Sequence, residues 1–233
     1  FSQQVAADEL AMLTLIYAMY EPLTELKNVG ILMSLKISDW PEYAQGALEH
    51  SLYNIFSEQV AARQIRRLSD INDVTSCIVQ AQYEQNPYPR WLHLNFNTPT
   101  NYGRALEHEL PGFKAPEFFN GEQIKVLIAG CGTGRHALHV AKYFRNVEVT
   151  AIDLSSRALA YAKTMAKKYD ITNIKFMQAD ILELDQLDET FHVIECSGVL
   201  HHMKDPMAGW KSLKRRLKSQ GIMKVGLYSR RAR

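Results

Sequence analysis

Apolar residues are distributed along this chain in two ways, and the change between them divides it. From residue 121 onward, short apolar runs alternate with longer stretches of helical spacing. Residues 125–129, 147–152, 174–178, 191–196 and 222–227 read as strands, and residues 135–144, 157–169 and 207–217 read as helices. Ser155 and Ser156 are placed to cap the second of these helices, and Gly221 reads as the stop of the third. Such alternation predicts an α/β domain of parallel strands joined by right-handed crossovers, with ligands held beyond the carboxyl ends of the strands.

The first 80 residues carry helical spacing instead. Residues 8–20 are apolar nearly all round, as in a helix buried among others, and Pro22 ends them. A second apolar run, 31–37, stops at Ser38-Asp39-Trp40-Pro41. Residues 43–68 place Ala47, Leu48, Leu52, Ile55, Phe56, Val60, Ile65 and Leu68 at helical intervals. Arg63, Arg66 and Arg67 near the end of that stretch read as a solvated face that suits the helix dipole. In V-Q-A-Q-Y-E-Q-N-P-Y-P-R-W, residues 79–91, Pro87 and Pro89 hold the backbone extended and Tyr83, Tyr88, Arg90 and Trp91 gather around them. This is either a connector whose aromatics pack on the next domain or a lid over a cofactor or substrate, where an aromatic face attracts a cation. Residues 95–120, rich in Pro, Gly, Asn and Phe, read as irregular structure. The expected division is a helical region over 1–80, a connector or lid over 81–120 and an α/β domain over 121–233.

Composition narrows the class without naming an activity. The chain has 233 residues, 46% hydrophobic and 22% charged, enough to bury a sizeable core in one or two domains. A net charge of +2 is too small to point to nucleic acid. Three cysteines, Cys77, Cys131 and Cys196, form no paired framework, and a reducing cytoplasm is the expected location. The one long apolar run, residues 10–20, is shorter than a membrane span needs and follows Asp8 and Glu9, so neither a membrane segment nor a signal peptide is expected. The chain starts at Phe1 instead of Met, as a piece of a longer protein would. Lys211, Lys214, Arg215, Arg216 and Lys218 read as the solvated face of the last helix.

The chemistry concentrates in K-V-L-I-A-G-C-G-T-G-R, residues 125–135. A strand that ends in Gly130, Gly132 and Gly134 and opens a helix lets a ligand approach the backbone without meeting a Cβ, beside the free N–H groups of the helix start. A nicotinamide dinucleotide fingerprint places its third glycine or alanine where Arg135 stands, and that argues against an oxidoreductase. Asp153, about 20 residues beyond the glycines, can accept the hydroxyls of a ribose. No cluster of ligands at metal-binding spacing is visible.

The spacing G-x-G-x-G, with A-I-D-L-S, A-D-I-L and V-I-E-C-S-G-V-L-H-H-M-K-D-P in order after it, resembles the class I S-adenosylmethionine-dependent methyltransferases. The resemblance implies a Rossmann-like sheet, incomplete after its fifth strand, where the family usually adds an antiparallel hairpin. It implies transfer of a methyl group from S-adenosylmethionine by in-line displacement, and it leaves the acceptor open among a small molecule, a lipid head group and a protein side chain; a small-molecule or protein acceptor is expected. A non-catalytic module that binds the same cofactor is the alternative. The implied cofactor contacts are Gly130, Cys131, Gly132, Gly134, Asp153, Leu154, Ala179, Asp180, Ile181 and Ser197, with Tyr88 and Arg90 from the lid. Asp180 reads the adenine amino group, and Ala179 and Ile181 pack on the base. His201 and His202 are the candidates for accepting a proton or orienting the acceptor. Ala129 departs from the family, in which an acid is common just before the first glycine, and so removes one expected anchor for the cofactor's ammonium group. N-P-Y-P looks like the N-P-P-Y motif of base-modifying enzymes, but that motif belongs after the fourth strand. L-I-Y-A-M-Y-E-P-L and Q-Y-E-Q-N-P-Y-P-R-W look like bacterial methyltransferases that carry tetratricopeptide repeats upstream.

Overall fold

Runs of Val, Ile, Leu and Ala that are apolar on both faces suit a parallel sheet covered by helices on both sides. The computed structural model describes residues 2–95, 98–121 and 123–228 and separates into two compact units, residues 1–61 and 62–233.

The first unit is helical. It holds α1 (Ser2–Ala18), α2 (Val29–Ser34), α3 (Glu42–Leu48) and α4 (Asn54–Ala62), the last of which continues past the unit boundary by one residue. A π-helical turn, Glu49–Tyr53, joins α3 to α4, and it rotates the apolar face between them. Leu23, Leu32, Trp40, Leu48 and Leu52 form the core. The Tyr53 hydroxyl ties that core together: it accepts the Trp40 indole N–H at 2.8 Å and donates to the Leu35 carbonyl at 2.7 Å. The sequence predicts α1 buried on all sides, yet Met12, Leu13 and Ile16 stand exposed on one of its faces. The helix expected over 43–68 is interrupted by the π turn and ends at Ala62.

The second unit is a six-stranded parallel sheet in the order β1-β4-β3-β2-β5-β6. Its elements are β1 (Arg66–Arg67), α5 (Val74–Gln85), α6 (Tyr102–Glu109), α7 (Phe118–Gly121), β2 (Ile124–Ala129), α8 (Arg135–Tyr143), β3 (Val147–Asp153), α9 (Ser156–Lys168), β4 (Ile174–Gln178), β5 (Phe191–Ser197), α10 (Pro206–Arg215) and β6 (Leu217–Gly226). Val126, Val149, Ala151 and Val193 pack with Ala137, Leu138 and Ala162 on one face. Leu127, Ile152, Ile194 and Cys196 pack with Leu184, Leu200 and Leu213 on the other. Fully burying each branched aliphatic side chain contributes roughly 1.5–3 kcal/mol, so the central strands anchor the unit. All pairings are parallel, and the carboxyl ends of β2, β3, β4 and β5 therefore meet at one edge of the sheet.

Several expectations are corrected here. Residues 62–80 lie in the second unit: Arg66 and Arg67 add a short edge strand to β4, where the Arg67 Nε donates to the Gln178 side chain at 2.9 Å. Residues 79–85 are helical, not extended, because α5 runs through to Gln85 ahead of the prolines. The stretch 95–120 contains α6, whose N-terminus is capped by the Asn101 side chain accepting from Arg104 N–H at 3.2 Å. Gly221 does not stop a helix. It lies inside β6, where Leu217 faces Phe191 and Ile222 faces Val193, so the intervening residues bulge and Gln220 takes a φ of 63°. Arg215 and Arg216 are not simply solvated, since both pair with Asp185. The strand order ends at β6 among the described residues, and residues 229–233 lie outside them.

Candidate functional site

The edge where the strands end encloses a cavity of about 350 Å³. That volume is within the range of small-molecule sites. Its floor begins with the turn after β2. Gly130 has a φ of 72°, and a Cβ there would collide with the Val199 methyl groups. Gly134, with a φ of 81°, closes the turn and packs its bare Cα against Ala162 of α9. Only glycine meets both demands at these two positions without strain.

Two carboxyl groups line the cavity at the ends of neighbouring strands. The Asp153 Oδ2 accepts the Gly132 N–H at 2.7 Å and its Oδ1 accepts the Ser155 N–H at 2.9 Å, so one side chain sets the shape of both turns. Burial pushes the Asp153 carboxyl above the usual carboxylate range, against the pull of those N–H groups. Asp180 is 2% exposed. Its Oδ1 accepts the Leu182 N–H at 2.9 Å, and its Oδ2 is buried with no hydrogen-bond partner among the described residues. A buried acceptor without a donor is costly.

Ala179 and Ile181 flank Asp180 on the wall, and Leu154, Cys131 and Ser197 complete the floor. His202 lines the cavity as well. His201 does not; it packs against the rings of His202 and Tyr228 at 4.2 and 4.6 Å. Tyr88 lines the cavity, while the Arg90 guanidinium lies 5.4 Å over the Tyr161 ring, off the cavity wall. Gly134 is likewise absent from the lining and serves the turn. Burial pushes the Cys131 thiol well up and the Cys196 thiol up to about 12, so both stay protonated and are poor nucleophiles.

One wall comes from α5, of which the sequence reading named Val79 and Tyr83 only as part of a connector or lid and did not single out Thr75 and Ser76. Thr75, Ser76, Val79 and Tyr83 face the cavity. The available signal was Asp73, whose side chain accepts the Ser76 N–H at 2.8 Å and starts the helix. The far end of α5 is fastened to α9 by Glu84, which accepts from Ser156 N–H at 2.6 Å, Ser156 Oγ at 2.8 Å and Arg157 N–H at 3.2 Å. A carboxylate at a helix start satisfies open N–H groups and suits the helix dipole.

The segment 88–92 borders the cavity at one end and packs on the α/β unit at the other. Tyr88 and Pro89 border the cavity. Beyond them the chain is pinned down: Thr133 Oγ1 donates to the Pro89 carbonyl at 2.5 Å, the Trp91 indole N–H donates to the Thr133 carbonyl at 3.0 Å, and the Tyr161 hydroxyl donates to the Trp91 carbonyl. Trp91 sits between Tyr161, edge-on at 6.1 Å, and Tyr169, stacked at 6.2 Å.

The sequence from the middle of β2 to the middle of β6 matches a known family. Residues 126–221, less than half of the chain, match the model of a family described as a methyltransferase domain. A tRNA (guanine-N(7)-)-methyltransferase of Rubrobacter xylanophilus is 33% identical over 118 residues, covering 49% of this chain and 52% of that protein. An uncharacterised protein of Synechococcus sp. is 36% identical over 106 residues, covering 45% of this chain and 25% of that protein. The solved structure of PKMT2 from Rickettsia typhi is 26% identical, with a TM-score of 0.45, over 57% of this chain and 26% of that one. The chain spans about half the length, or less, of these curated relatives. Among the described residues no group of three or more His, Cys, Asp or Glu side chains could hold a metal ion. Nor is any helix among them long and apolar enough to cross a membrane.

Proposed function

We propose that this protein transfers a methyl group from S-adenosylmethionine to a small-molecule or protein acceptor. The observation that carries the reading is Asp180, which lines the cavity 27 residues after Asp153 in sequence and one strand away in the sheet, and whose buried Oδ2 accepts no hydrogen bond among the described residues. The adenine amino group is a donor of the kind this oxygen lacks. Asp153, each oxygen already taking one N–H, keeps lone pairs for the ribose hydroxyls. Ala179 and Ile181 offer apolar contact to the base, and the turn Gly130-Cys131-Gly132 gives the amino-acid end close access to backbone. S-adenosylmethionine supplies an already activated methyl group, so the chain's own task is alignment and exclusion of water. The α5 wall and the Tyr88-Pro89 segment exclude water. His202 stands on the wall to orient the acceptor or take its proton.

The modest net charge of +2 favours a small-molecule or protein acceptor over nucleic acid. Three free cysteines favour a cytoplasmic setting, and the two N-terminal motifs favour the bacterial subtype associated with tetratricopeptide repeats. Calorimetry with S-adenosylhomocysteine tests the cofactor site: micromolar binding is expected, and absence of heat refutes the reading. Tight binding of reduced nicotinamide dinucleotide instead would reverse it. Transfer of labelled methyl from S-adenosylmethionine to a cell extract then separates an enzyme from a module that only binds.

A further inference from the structure

Glu195 is the one carboxylate of β5, 3% exposed, and it does not line the cavity. Its Oε1 accepts the Tyr102 hydroxyl at 2.5 Å. Its Oε2 takes His136 Nε2 at 2.9 Å and lies 3.7 Å from Lys224 Nζ. Burial opposes its charge, but the His136 hydrogen bond, the Tyr102 hydroxyl and the Lys224 ammonium together hold it below the usual carboxylate range. Breaking such a buried cluster is costly, but having it contributes little net stability over an apolar core. Its position says more than its energy. Glu195 is the register partner of Ile128 on the neighbouring strand. It therefore lies two residues before the cavity-lining Ser197 on β5, level with a point two residues before Gly130 on β2. Its partner His136 is in the first turn of α8, the helix that the glycine turn opens.

Resting on the methyltransferase reading, we propose that Glu195 is the positioning residue for the amino-acid end of the cofactor. β2 carries Ala129 and no acid at its end. β5 supplies the carboxylate from next door and, through His136, fixes the start of α8 and with it the backbone that the amino-acid end must approach. The nucleoside end is served by Asp153 and Asp180, on strands on the other side of β2. The two ends are thus held by separate groups and can be perturbed separately.

Two probes read this difference in one titration series: S-adenosylhomocysteine, which has the amino-acid end, and methylthioadenosine, which lacks it. Glu195→Gln is expected to raise the Kd for S-adenosylhomocysteine about tenfold, or about 1.4 kcal/mol, and to leave methylthioadenosine within about twofold. His136→Gln, at a half-exposed side chain, is expected to shift the same ratio in the same direction, and it carries the test if Glu195→Gln does not fold. An equal loss for both ligands means a merely structural role and overturns the proposal, as does no change for either. If the unaltered protein binds neither ligand, the methyltransferase reading itself falls and takes this one with it.

Discussion

Asp180→Asn separates ligand binding from stability, because the two should move in opposite directions. In the free protein the Leu182 N–H needs an acceptor, so the asparagine oxygen takes the place of Oδ1 and the amide nitrogen takes the place of the partnerless Oδ2. A buried polar atom without a partner costs about 1–3 kcal/mol, and a charged group costs more than a neutral amide. Folding stability should therefore hold or rise by up to about 1 kcal/mol, which raises Tm by about 0–4 °C for a unit of this size. Cofactor binding should fall. The substitution removes a hydrogen bond to a carboxylate, worth about 1.5–3 kcal/mol, and sets an amide donor against an amino donor. A loss of about 2–3 kcal/mol raises Kd by about 30- to 150-fold. Thermal melts without ligand and calorimetry with S-adenosylhomocysteine measure the two quantities on the same protein. If stability drops and affinity holds, Asp180 is only the cap of the turn after β4, and the reasoning from its unpaired oxygen is refuted.

Gly130→Ala should cost about 2–4 kcal/mol in denaturant unfolding, from the left-handed backbone and the collision with Val199, and a change under about 1 kcal/mol would contradict the geometry. Glu84→Ala should lower stability by about 1–2 kcal/mol and Tm by a few degrees, because α9 loses its carboxylate cap; it should also weaken S-adenosylhomocysteine binding, because α5 is then tied less firmly to the cavity. Equal affinity in that variant would show that α5 keeps its place by other contacts. Asp153 titrates above its ordinary value of 3.8, which gives pH two opposite effects. Its contribution to folding is full below 3.8 and is lost as pH rises through the elevated value, whereas ligand hydroxyls donate to its ionised form. Calorimetry from neutral pH downward should show affinity falling through that elevated value, and Asp153→Asn should flatten the profile.

Much of the sheet was legible because its reasons are local. Val126, Leu127 and Ile128 can only form a strand buried on both faces, and glycines at 130, 132 and 134 announce a left-handed turn wherever the chain goes next. Asp153 and Asp180 were legible for the same reason, as acids directly past apolar runs. What stayed hidden depends on distant partners. Glu84 is fixed by Ser156, 72 residues away, and nothing around Q-Y-E-Q reports it. Residues 218–221 look like a stop because Gly221 is there, yet β5 holds them in a bulged strand. Glu195 did leave a trace: a lone charge in F-H-V-I-E-C-S cannot be buried without partners, though Tyr102, His136 and Lys224 are too scattered in sequence to be named from it.

The bond from the Trp91 indole to the Thr133 carbonyl places a fluorophore against the glycine turn. At 7% exposure, that indole is shielded from solvent quenchers, and its emission reports on the Thr133 carbonyl and the Tyr161 and Tyr169 rings around it. Of the chain's three tryptophans, Trp40 belongs to the first unit and Trp210 stands partly in solvent, so replacing those two with phenylalanine isolates a single reporter. The protein thereby carries its own optical gauge of the turn, with no dye attached.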